Sequence, residues 1–192
     1  MRALDVVAEM LGRMVEGTMF HLQMVQYFSY LGLRGFAELH RKRFLEENAC
    51  MVDLQRFAVE TTGMIPGSGQ VEARSYLPNE WMDKMRETEN ERTLDEYVRY
   101  AMEAWKEWEE QTRNLYSRCY YALDDLREGY LADEAMRHVR ETGDEMLFAY
   151  NLVCWMRETD YDRLAIMQMD RDIVKKYHTF MKGVKKSEHN AK

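Results

Sequence analysis

The sequence predicts an all-α protein, and three observations carry that prediction. Among the 192 residues, methionine occurs sixteen times and leucine seventeen times against three isoleucines, a bias toward unbranched side chains that favours helices over sheets. Both prolines, Pro66 and Pro78, fall in one central stretch, which leaves about 60 residues before it and about 110 after it free of the strongest helix breaker. Apolar residues in both flanks recur at the three-and-four spacing of a helix face. The length suits one compact domain with a sizeable core.

The first helix is read from about Ala3 to Leu33, with Leu4, Val7, Leu11, Met14, Thr18, His21 or Leu22, Val25 and Phe28 on one face. Gly32 and Gly35 then mark a tight reversal. A second helix, Phe36 to Thr62, keeps Phe36, His40, Phe44, Glu47, Met51, Leu54 and Ala58 on one side and stops at the glycine of TTGM. So short a turn makes the two an antiparallel hairpin. Residues 63–92 hold three glycines and both prolines, too much chain for a turn between neighbours, so they are read as a crossover along the bundle with a short helix near NEWMDKM.

Thr93 and Glu96 have capping-box spacing at the start of a third helix. Its stripe is Leu94, Val98, Ala101, Trp105, Trp108, Thr112, Leu115, Cys119, Ala122 and Leu126. After a break around REGY, a fourth helix from about Leu131 to Met156 turns Leu131, Ala135, His138 or Val139, Thr142, Met146, Ala149 and Val153 inward. Two hairpins joined by a long crossover give an up-down-down-up four-helix bundle over residues 1–158. A fifth, amphipathic helix is expected over 159–185, lying on the bundle or on another subunit. Residues 186–192 are read as a basic disordered tail.

Several classes are set aside by composition. Cys50, Cys119 and Cys154 are odd in number and form no C-x-x-C pair, which argues against a disulfide scaffold or zinc ribbon and for a reducing cytoplasm. No signal-peptide pattern and no apolar run near the ~18 residues of a membrane span is visible, so a soluble, unprocessed chain is expected. Net charge is −7, yet residues 171–192 carry seven Lys or Arg against Asp172 and Glu188. A weak case for DNA association rests on that KKYHTFMKGVKKSEHNAK end; the acidity of the rest of the chain opposes it, and a solvated amphipathic helix is the competing reading.

Glu47 raises the functional question. It sits mid-stripe on the second helix, where an unpaired carboxylate would cost several kcal/mol or take up a proton. Counting about a turn at residues 33–36 places it level with His21 to Gln23; the matching level across the bundle holds Glu109 or Thr112 and His138, Glu141, Thr142 or Glu145. Carboxylates and imidazoles from four helices at one depth are what a buried metal site requires. Blander readings stand beside this: Glu47 as an ion-paired or protonated core acid, His21 and His40 as hydrogen-bonded core residues, Cys50 as a small hydrophobe.

GFAELHRKRFLEENACMVDLQRFAVETTGMI resembles the second helix of the ferritin-like superfamily, where an aromatic near the helix start precedes a Glu-x-x-His ligand pair and a glycine turn. On that resemblance Glu47 takes the bridging glutamate's position and Cys50 the histidine's. HLQMVQYFSY is similar to the first helix, with Gln23 seven residues before Tyr30 where the family has a ligand glutamate. AMEAWKEWEEQ puts Glu109 on the third-helix glutamate, and RETGD resembles the fourth-helix pair with Glu141 and Asp144. Helix order, crossover and extra C-terminal helix agree over about 155 residues. The short first turn and FAELH also look like the starvation-induced, DNA-protecting branch, whose intersubunit His and Asp ligands find no counterpart.

The resemblance implies a metal-binding homo-oligomer, with iron at a di-metal site and iron oxidation, storage or oxidative-stress protection as its role. Zinc or no metal are the alternatives, since the ligands are altered and ferroxidase activity is in question. The candidate ligands are Glu47, Cys50, Glu109, His21, His138 and Glu141. Burial prefers His21, His138 and Glu145 where the resemblance prefers Gln23, Glu141 and Asp144. The competing class is a non-catalytic assembly protein of the same fold that has lost its metal site.

Overall fold

A computed structural model describes residues 2–67, 71 and 94–190, with side chains through Val184. Among the described residues there are five helices and no strand: α1 (Ala3–Tyr30), α2 (Arg34–Thr62), α3 (Leu94–Asp125), α4 (Gly129–Glu158) and α5 (Arg163–Asn190). The expected short helix at NEWMDKM and the capping residue Thr93 lie outside the described residues. The backbone of α5 is helical through Asn190, past the end expected at residue 185.

Leu31, Gly32 and Leu33 make the α1–α2 turn, with Gly32 at φ 76°, a conformation that strains any residue bearing a Cβ. Gly63 closes α2 at φ 68°, donating its N–H to the Val59 carbonyl. Gly35 has a different role from the one expected. It lies inside the first turn of α2, and a Cβ there would fall 1.6 Å from the Asp170 carbonyl oxygen of α5. Its missing side chain is what lets α5 dock.

Contacts fix the helix directions. Phe28 stacks on Phe36 and His21 meets His40, so α1 and α2 run antiparallel. Tyr116 meets His138 while Arg157 bonds Glu103, which makes α3 and α4 antiparallel. Arg13 reaches Thr112 and Tyr27 reaches the Tyr97 carbonyl, so α3 descends as α1 rises. The result is the up-down-down-up order that the sequence predicts. α5 lies on the bundle itself: Asp170 accepts the Phe36 N–H, and Tyr177 packs on Phe148 and approaches Glu46.

The core is divided in two. One apolar cluster, built around Phe20, Phe28, Phe36, Trp105, Phe148 and Ile166, fills the end near the α1–α2 turn and extends under α5. The other, around Met10, Leu54, Tyr116, Leu123 and Leu131, fills the opposite end. Between them the buried polar residues Arg13, Thr18, His21, His40, Arg43, Glu109, Thr112, Thr142 and Glu145 form a layer across the waist, with the buried His138 farther along α4 against Tyr116. The stripe of α3 turns toward Tyr116 and Leu123, leaving Leu126 exposed where the sequence reading placed it inside.

Candidate functional site

Arg43 is the hub of the waist. It rises from α2 one turn before Glu47 and is nearly inaccessible. Nη2 donates to Glu145 Oε2 on α4 and to Glu47 Oε1 at 3.2 Å, while Nη1 donates to Glu46 Oε2 at 2.7 Å. Burial opposes its charge, but Glu145, Tyr177, Glu109 and Glu47 together outweigh that and raise its pKa, so the guanidinium is a permanent cation. Gly17 of α1 lets that helix approach, since a Cβ there would lie 3.3 Å from the Glu47 carboxyl.

The third acid, Glu109, accepts the Trp105 indole N–H at 2.8 Å and lies 3.9 Å from His21 Nε2. His21 and His40 face each other through Nδ1 atoms 3.0 Å apart. One must donate and the other accept; with His40 donating, His21 keeps its proton on Nε2, toward Glu109. Phe28 stacks on His40 and Trp105 meets it edge-on. Arg13 closes the layer: it lies over the Trp108 ring and donates to Thr112 Oγ1, the Trp108 carbonyl and Glu16.

The electrostatics follow from enclosure. Burial raises the Glu47 pKa to about 7 against the relief that Arg43 gives, and Glu109 adds to the rise. Glu145 and Glu109 are also raised, by burial first and against Arg43. Burial, then Arg43, lowers His40 to about 3; burial, His40 and Arg43 lower His21. Both imidazoles are therefore neutral near neutral pH. Glu47 and Glu145 share one guanidinium and Glu109 lies within its field, so the layer holds on to a proton into the neutral range.

Of the candidate ligands, the structure gathers His21, Glu47 and Glu109, and adds Glu145. Cys50 borders Glu47, and burial followed by the neighbouring Glu47 pushes its thiol up to about 12. His138 and Glu141 belong to a second cluster with Glu134 and Arg137 on α4. His138 lies two turns, about 10 Å of axial rise, from Glu145. Gln23 is half-buried while His21 is fully enclosed.

Hairpin counting also needs correction. Glu47 is level with Gly17, and His21 with His40, because the turn centres on Gly32 and not on residues 33–36. The residue that sequence reasoning missed is Arg43. Its position, three after His40 and four before Glu47, was a sufficient signal.

A metal centre can be tested against this donor set. Among the described residues, no three His, Cys, Asp or Glu side chains converge as a cation site. The space between Glu47 and Glu145 is taken by the Arg43 guanidinium. The arrangement shown is an arginine-compensated acid cluster.

No family model and no curated protein matches the sequence. Solved structures do: an open pore ferritin from the hyperthermophilic archaeon Archaeoglobus fulgidus is similar over 88% of this chain and 93% of its own, at 18% identity and a TM-score of 0.70. An engineered closed form of the same ferritin gives 0.67 at 18% identity, and a humanized archaeal ferritin 0.68 at 16%, each over 88% of this chain and 93% of its own. The fold is ferritin-like. No described helix is long and apolar enough to cross a membrane.

Proposed function

We propose that this chain is a ferritin-like subunit of a homo-oligomer that takes up iron or another divalent cation as cargo, with Glu47, Glu109 and Glu145 as its internal acidic site. The observation that supports the reading is the placing of Glu47 of α2 and Glu145 of α4 on one cation, the Arg43 guanidinium, with Glu109 of α3 near enough for its charge to bear on both. In helical bundles, acids facing one another at one depth are how a cation is held. The ferritins to which the chain is similar support iron as the cargo. Self-association is supported by Leu45, Val52 and Val59, three exposed apolar residues seven apart along the outer side of α2.

Oxidation at a dinuclear centre is the weaker part of the expectation, because Cys50 stands where a histidine ligand was expected and the Arg43 guanidinium lies between Glu47 and Glu145. The test is mass by light scattering together with iron retained after aerobic Fe(II) loading and gel filtration. A multi-subunit particle that retains iron, with less retained by Glu47→Gln, is the expected result. A monomer that retains none would overturn the proposal.

A further inference from the structure

We infer that Arg43 is the resident cation of the waist, seated where a divalent ion would have to bind, so that uptake at Glu47, Glu109 and Glu145 is a competition with the protein's own guanidinium. Only this second half rests on the function proposed above.

The geometry supplies the argument. One side chain from α2 bridges to α4, bonding Glu145 and Glu47 through the same nitrogen. Its other terminal nitrogen reaches Glu46, whose side chain is 47% exposed and marks the way out to solvent. Tyr177 of α5 covers that exit, its hydroxyl 3.4 Å from the same Glu46 oxygen. Buried carboxylates need a compensating charge, and a planar fork that bonds two of them at once supplies it in a fixed direction. A guanidinium cannot be chelated away. The bundle therefore has its central charge in place without any ion.

Two consequences are measurable on the full chain after chelator treatment. Stability should be coupled between Arg43 and Glu145. Arg43→Gln, which strands the acids, should lower the melting temperature by about 10 °C, and Arg43→Gln/Glu145→Gln should recover part of that loss. Wild type should melt at the same temperature with and without EDTA. Zn(II), used as a redox-inert probe in calorimetry, should bind Arg43→Gln at least about tenfold more tightly than wild type, and the gain should vanish when Glu145→Gln is added.

Strictly additive melting effects, or equal Zn(II) affinity in wild type and Arg43→Gln with measurable binding in both, would overturn the assignment. Coupled stability with no Zn(II) binding even to Arg43→Gln would uphold Arg43 as the resident cation and sink the cation-cargo function instead. Where Arg43→Gln alone is too unstable to purify, the double variant is expected to fold; its failure to do so would also overturn the assignment.

Discussion

Glu47 and His40 lie two turns apart on α2 and respond to pH in opposite directions. The folded state holds the Glu47 proton up to about pH 7, against a usual 4.5, so the acid's contribution to stability is lost as pH rises through that window. A displacement of that size corresponds to about 3 kcal/mol. In metal-free protein, Glu47→Gln should therefore gain on wild type by up to about 3 kcal/mol between about pH 5 and about pH 8, read from urea melts. His40 is displaced the other way, from 6.5 to about 3. Its contribution is complete above 6.5 and is lost as pH falls toward 3. His40→Phe should flatten the acid-side slope of stability against pH by up to about 1.4 kcal/mol per pH unit. The sequence announced Glu47 because a lone acid interrupts an apolar stripe. It hid Arg43 because R-K-R reads as a solvated run, and only the helical phase of its last residue distinguishes it from Arg41 and Lys42, which do face outward or partly so.

Helix boundaries were legible wherever backbone chemistry decides them: Gly32 and Gly63 adopt positive φ at the two ends of α2. Gly35 was misread as a second turn residue because the partner that needs it, Asp170, is 135 residues away and no local pattern points to it. That contact predicts a strong effect from a small change. Gly35→Ala must push the Asp170 backbone aside, and a carbonyl on a packed helix yields little, so a loss of about 2 kcal/mol or more is expected. Faster tryptic cleavage within α5 would check it. Asp170→Ala removes only the acceptor for the Phe36 and Gly35 N–H groups and should cost about 1 kcal/mol. The comparison separates steric docking of α5 from its capping of α2.

At the scale of the whole molecule, the all-α class, the helix directions and the long crossover spacing were readable because each follows from periodicity and from where proline and glycine cluster. The level of each residue along the bundle was not. An error of about two residues in the centre of the first turn moved the expected partner of Glu47 by a helical turn. The assembly proposed above makes its own prediction: Val52→Glu, on the exposed stripe of α2, should reduce particle mass by light scattering while leaving helix content unchanged.

The division of the core into two greasy halves by a charged waist has a consequence for alignment. Were one rod to slide by a single turn, about 5.4 Å, Arg43 would lose Glu145 and an acid would be driven among phenylalanines or tryptophans. An all-leucine interior would forgive such a slip. Here the ionic belt acts as a notch that admits one vertical setting of the four rods, so the side chains that enclose Arg43 also keep the molecule from assembling out of step with itself.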